Sequence, residues 1–206
     1  VGLLAGLGAV GFRWMVRGFG WLFFNRGAVL FDFLGDYYVI ILPVLGGLLL
    51  GPLIYFLARE ARGEGPPEVM EALAVKGGRI RQRVALFKAL ASSICIGSGG
   101  SVGREGPIVQ IGASVGSTLA QRFRLPEDWI RTFVLCGAAA GISATFNAPI
   151  GGVLFALEVL ERRFVGRHFG FIVISSVTAD LIARGLLGAD PSFIIPQLSM
   201  TSYWEV

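Results

Sequence analysis

The sequence predicts an all-α integral membrane protein, a bundle of tilted and broken helices, and three observations support that class. Charged residues make up 16% of the chain and hydrophobic ones 54%, with a mean hydropathy of +0.69, whereas charged residues run near 25% in soluble domains. Residues 37–58 form a charge-free stretch of 22 residues, enough to cross a hydrocarbon core of roughly 30 Å at about 1.5 Å per residue. The other apolar segments are repeatedly interrupted by glycine, and neither a soluble amphipathic pattern nor strand alternation dominates.

Taken in order, residues 3–24 read as a first spanning helix. Arg13 and Arg17 stand four apart on one of its faces, which meets protein or headgroups. Residues 31–38, with Asp32 and Asp36, form a turn, and 38–58 span. Pro66-Pro67-Glu68 starts a short helix, because proline fits a first turn and an acid suits its positive end; this helix is too short to cross. Residues 84–96 are apolar apart from Lys88, and Gly97-Ser98-Gly99-Gly100-Ser101 breaks them. Residues 106–121 are uncharged but short for an untilted span. Residues 132–157 are uncharged too, and Asn147-Ala148-Pro149 divides them into two half-length helices, with Asn147 as N-cap of the second. Residues 169–187 form a last span before the turn Gly188-Ala189-Asp190-Pro191, with Asp180 and Arg184 as an i,i+4 pair.

The basic residues give the topology. Arg59, Arg62, Lys76, Arg79, Arg81, Arg83 and Lys88 fall in one stretch, the pattern of a cytoplasmic loop, and Arg122, Arg124, Arg162 and Arg163 read as further topology determinants. The formal charge of +4 therefore reflects orientation in a membrane, and no nucleic-acid partner is expected. His168, beside Arg167, reads as interfacial. Cys95 and Cys136 lie in apolar segments without metal-ligand spacing and read as packing residues. With a single histidine and no clustered ligands, a membrane enzyme is a remote alternative. A purely structural membrane protein is another.

Irregular backbone at membrane depth is tolerated only where protein buries it or it lines a polar cavity, so several breaks in one chain imply a pathway. The loop 97–107 is the leading candidate. It is not a nucleotide loop, because Val102 stands where GxGxxG needs glycine, and Arg104-Glu105 stands where a Walker motif needs Lys followed by Ser or Thr. What remains is a glycine loop ending in Arg104-Glu105-Gly106-Pro107, with Pro107 opening an uncharged helix whose first amides are free. Such a half-helix N-terminus holds an anion without introducing a full charge. Glu105 is either a functional carboxylate at that positive end or a bland one that caps the helix or pairs with Arg104. Ser98 and Ser101 read as small packing residues in preference to hydroxyl donors.

These residues resemble the CLC family of chloride channels and proton/chloride exchangers. Gly103-Arg104-Glu105-Gly106-Pro107 is similar to the family's GREGP signature and runs on as Ile108-Val109-Gln110-Ile111-Gly112. Gly63-Glu64-Gly65-Pro66-Pro67-Glu68 resembles its GSGIPE anion-site motif. Gly137-Ala138-Ala139-Ala140-Gly141 with Phe146-Asn147-Ala148-Pro149 resembles the helix pair that follows. Order and separations agree over about residues 42–163.

The resemblance implies a CLC-type fold of two antiparallel, structurally related halves, in a homodimer whose subunits each have their own pore. Residues 1–206 look like the N-terminal half alone, a fragment that needs the C-terminal half to conduct, since the family's GxFxP motif and pore tyrosine belong to the second half and no GxFxP occurs here. It further implies a multi-pass protein of the plasma membrane, with chloride or a similar anion as cargo and bound chloride in place of any cofactor. The anion-binding positions carried over are Gly103, Arg104, Glu105, Gly106, Gly63, Glu64, Gly65 and Pro66. Glu105 takes the place of the gating glutamate, which blocks the anion site when ionised and leaves it when protonated.

Two positions depart from the pattern. Glu64 stands where many members have a serine; an ionised carboxylate about 4 Å from chloride costs about 4 kcal/mol at an effective dielectric of 20. Glu64 is therefore protonated, turned toward Arg59 or Arg62, part of a weakened central site, or simply a solvated loop acid. Val159 stands where exchangers commonly carry the second acid of a pair, with Glu158 matching the first. Valine cannot relay a proton, so uncoupled conduction through a voltage- or pH-gated channel is favoured over proton-coupled antiport.

Overall fold

A computed structural model describes residues 1–30, 35, 37–57, 65–161 and 168–188, and among these it is helical without a strand. Helix α1 (Gly2–Trp21) passes through a π-helical turn, Leu22–Arg26, into the short α2 (Gly27–Leu30). Helix α3 (Tyr38–Pro52) contains Pro43 and Pro52 and widens after the second into another π-helical turn, Leu53–Leu57, as expected where a proline removes a ladder donor. Then come α4 (Pro66–Val75), α5 (Gln82–Gly97), α6 (Glu105–Arg122), α7 (Glu127–Phe146), α8 (Pro149–Phe155) with a π-helical extension Ala156–Glu161, and α9 (Phe169–Leu187).

Three helices are long and apolar enough to cross a membrane among the described residues: 38–55, α7 and α9. The chain is an integral membrane protein by this composition. The first predicted span does form a helix, but α1, with Arg13 and Arg17, is not among the three. The three differ in where they face. The α7 window is 78% buried within the protein and that of residues 38–55 only 11%, so α7 is the axis of the bundle and α3 lies outside, presenting Ile40, Val44 and Leu48 outward.

Glycine lets the backbones meet along that axis. A Cβ on Gly112 of α6 would strike the Gly137 carbonyl of α7, one on Gly137 would strike the Gly112 carbonyl, and one on Gly116 would strike the Phe133 carbonyl. Gly141 faces Ile108 in the same register. Partner numbers fall on α7 as they rise on α6, so the two helices run antiparallel across a pair of GxxxG surfaces. Where neither helix has a side chain, close backbone approach replaces the interdigitation that a soluble core would use. Gly2 and Gly6 of α1 do the same against Ser175 and Ala179 of α9.

The division at 147–149 is real but differs from the expectation. Helix α7 begins at Glu127, whose acid and that of Asp128 occupy its first turn; a charge-free window misses them, although acids are favourable there. It is thus a full 20 residues rather than half-length. Asn147 is not the N-cap of α8: it closes α7 in the left-handed conformation at φ 53°, Ala148 is the N-cap and Pro149 the first helical residue. Asparagine tolerates that conformation better than most residues. Asp180 and Arg184 do pair, at 2.7 Å, with Asp180 buried. Asp32, Asp36, Arg59, Arg62, Gly63, Glu64, Arg162, Arg163, Arg167 and the turn 189–191 lie outside the described residues.

Candidate functional site

The site is built where α5 stops and α6 starts. Helix α5 is closed by Gly99 at φ +95°, with amide bonds from Ser98 to the Ile94 carbonyl, from Gly99 to that of Ile96 and from Gly100 to that of Cys95, the glycine-terminated end expected of a helix that must stop sharply. Ser98 is buried against Gly46 of α3 and donates to the Cys95 carbonyl at 3.0 Å, so it packs, as expected. Ser101, by contrast, is exposed.

Beyond this turn the chain enters α6 without a side-chain cap. Among the described residues, no backbone acceptor receives the amides of Gly103, Arg104, Glu105 or Gly106; the first matched one is Ile108, to the Arg104 carbonyl at 3.2 Å. Consecutive unmatched N–H groups therefore stand at the positive end of an 18-residue helix, where free donors and the helix dipole act in the same sense. Glu105 is exposed, and its carboxylate lies back over Gly103: a Cβ on Gly103 would stand 2.8 Å from Glu105 Cδ and 3.1 Å from Oε1. Among the described residues Glu105 neither caps α6 nor pairs with Arg104. The carboxylate thus lies over Gly103 without a hydrogen-bond or ion-pair partner among the described residues.

A second helix N-terminus meets the first. Gly65, the N-cap of α4, has φ 111° and packs so tightly on Gly106 that a Cβ would stand 2.5 Å from the Gly106 carbonyl carbon. Glycine is required twice over here, for the dihedral and for the contact. The structure therefore brings Gly65, at the start of α4 just before Pro66, onto Gly106 in the first turn of α6, with Gly103, Arg104 and Glu105 immediately before it; Gly63 and Glu64 lie outside the described residues. Val159 lies away from this cluster in sequence, on the π-helical turn after α8, where it and Glu158 are both exposed while Leu157 and Leu160 are buried.

Several contributors were not picked out from the sequence. Glu68, placed from the sequence only as an acid at the start of α4, accepts the Gly65 amide through Oε2 at 2.6 Å, one half of a capping box, since glycine has no side chain to complete the other. A polar stripe of Gln110, Ser114, Ser117 and Gln121 runs along one face of α6, at the 4, 3, 4 spacing of a helix. Its lower part pins the α4–α5 connection: Ser117 Oγ donates to the Gly78 carbonyl at 2.6 Å and accepts the Ile80 amide at 2.8 Å, and Gln121 Nε2 donates to Ser117 Oγ and to the Ile80 carbonyl. Arg131 of α7 donates to the Leu73 carbonyl of α4. Together these bonds fix the far end of α4 and so the position of Gly65. Above them, a cavity of about 430 Å³ lies between α4, this connection and α6, lined by Glu68, Lys76, Arg79, Arg81 and Gln110 among others. His168 accepts or donates a 2.8 Å hydrogen bond at Thr132 and stacks on Trp129 with ring centroids 5.2 Å apart.

Comparison with known proteins bears on what such a site does. The family model described as voltage gated chloride channel matches residues 46–206. A putative chloride channel protein ClcB-like from Ralstonia nicotianae is 36% identical over 171 residues, covering 81% of this chain and 40% of that protein. The voltage-gated ClC-type chloride channel ClcB of Escherichia coli is 35% identical over 207 residues, covering 98% of this chain and 49% of the relative. The chain thus spans about half the length of the curated relatives it matches. Among solved structures, a slow cyanobacterial Cl−/H+ antiporter superposes with a TM-score of 0.80 at 25% identity, over 92% of this chain and 46% of that one. A CLC-type fluoride/proton antiporter gives 0.77, also at 25% identity, over 98% and 49%.

Proposed function

Since the chain belongs to the voltage-gated chloride channel (CLC) family, we propose that it forms the N-terminal half of a transmembrane pathway for chloride or a similar small anion, with Glu105 as its gate. The observation that carries this is the position of the Glu105 carboxylate, folded over Gly103 beside the unmatched amides of residues 103–106. An anion drawn to those donors and the helix end competes with the carboxylate for them. Ionised, Glu105 occupies the place; protonated, it loses the attraction and yields it. Gly103, Arg104, Gly106, Gly65 and Pro66 shape the site in this reading, and the C-terminal half of the complete protein supplies the rest. The complete protein is a homodimer of such pores in the plasma membrane and carries bound chloride.

Uncoupled conduction is the favoured mode, because the position of the second acid is Val159, which cannot relay a proton. The two solved structures named as proton antiporters support a second reading, in which protons reach Glu105 by another route. Chloride efflux from vesicles holding the complete protein, with the external pH recorded, tests both. Efflux without proton movement supports the channel. Stoichiometric proton movement against a gradient replaces it with an exchanger, and absence of any anion efflux rejects transport altogether.

A further inference from the structure

The turn from α4 to α5 carries a run of cations on a closely held backbone. Gly77 and Gly78 lie in the left-handed region at φ +57° and +77°. The Gly78 amide donates to the Ala72 carbonyl at 2.7 Å and that of Arg79 to the Lys76 carbonyl at 3.1 Å, while Ser117 and Gln121 of α6 hold Gly78 and Ile80. The bond from Gln121 to Ile80 also brings a second basic run alongside, because Arg122 and Arg124 follow Gln121 at the same end of α6. Arg79, Arg83, Arg122 and Arg124 are exposed, and among the described residues none of them makes an ion pair or a side-chain hydrogen bond. Two runs far apart in the sequence thus form one cationic patch.

The cavity of about 430 Å³ between α4, this turn and α6 lies within the patch and has the size of a small-molecule site. Its lining carries three cations, Lys76, Arg79 and Arg81, against two carboxylates, Glu68 and Glu71. Glu71 is matched by Lys76 at 2.8 Å, and one oxygen of Glu68 by the Gly65 amide at 2.6 Å. Gln110 lines the cavity too, 2% exposed with an Oε1 that meets no donor among the described residues. Arginines beside such acceptors suit a phosphate ester that also carries hydroxyl groups. Phe123, 69% exposed between Arg122 and Arg124, and the exposed Leu86 near the start of α5 add apolar surface on the side that the basic residues make cytoplasmic; a lipid uses such surface and a soluble ester does not. We propose that this cavity holds the headgroup of an anionic phospholipid, its phosphate on Arg79 and Arg81 and its hydroxyls toward Glu68 and Gln110. Arg122 and Arg124 draw the anionic leaflet to it.

The test follows the thermal midpoint of the complete, detergent-solubilised protein during titration with short-chain phosphatidylglycerol, with phosphatidylcholine of the same chain length, and with glycerol phosphate. Wild type is compared with Arg79→Gln, with the double variant Arg122→Gln/Arg124→Gln, and with Arg17→Gln on α1, a charge-matched control near the opposite end of α5. Phosphatidylglycerol is expected to raise the wild-type midpoint at lower concentration than the other two ligands. Arg79→Gln should need about fivefold more of it, the scale of one cation beside an anionic headgroup, the double variant severalfold more, and Arg17→Gln the same amount as wild type. The same requirement in Arg79→Gln as in wild type, or an equal response to the two lipids, overturns the proposal. Glycerol phosphate acting at the lipid's concentrations overturns it in favour of a soluble phosphate ester. None of these readouts depends on anion flux, so the result stands or falls apart from the gate.

Discussion

Replacing Gly103 by alanine perturbs the gate without touching its charge. The added Cβ would stand 2.8 Å from Glu105 Cδ and 3.1 Å from Oε1, closer than carbon atoms tolerate. Because these atoms are the far end of a flexible side chain on an exposed residue, the carboxylate moves and the backbone stays. Overpacking of this kind costs about 1 kcal/mol where the neighbour can yield, which lowers the population of the carboxylate's position over residue 103 by roughly fivefold. If that position blocks the anion, Gly103→Ala raises chloride efflux from vesicles of the complete protein by up to about fivefold at a pH where Glu105 is ionised. The same substitution made on top of Glu105→Gln should add little, because residues acting through one contact are not additive. An equal gain from Gly103→Ala in both backgrounds, or none in either, refutes the link between this contact and the gate.

Two further predictions concern what holds the site in place. Gly137→Val drives a branched side chain into the Gly112 carbonyl, and since both partners are backbone, α6 and α7 must separate; a loss of at least about 3 kcal/mol is expected, seen as a large fall in the thermal midpoint of the solubilised protein. Ser117→Ala removes bonds to Gly78, Ile80 and Gln121 and leaves polar groups unmatched, costing about 1–3 kcal/mol; amide exchange at Gly78 and Ile80 should accelerate while that at the centre of α7 does not.

How much of this was legible depended on whether the signal was local. The glycine break after α5, the start of α6 at Arg104-Glu105-Gly106-Pro107 and the last span 169–187 were all readable, because glycine, proline and charge act within a turn of where they stand. The start of α7 was not, since Glu127 and Asp128 look like a loop to a hydropathy window yet complement the helix end. Asn147 was assigned to the wrong helix for a related reason: the residue serves equally as an N-cap and as a left-handed terminator, and only the path of the chain decides. The contact between Gly65 and Gly106 was beyond local reading altogether, as both are glycines whose meaning lies in what they touch. The resemblance gives both only as anion-binding positions; that they touch comes from the backbone geometry.

The most direct test of the whole account is chloride efflux as a function of pH from vesicles carrying the complete protein, with Glu105 intact and as Glu105→Gln. A carboxylate competing with the anion for the amides of residues 103–106 predicts efflux that rises as pH falls in the wild type and a nearly flat profile in the variant. The same pH dependence in both would contradict it.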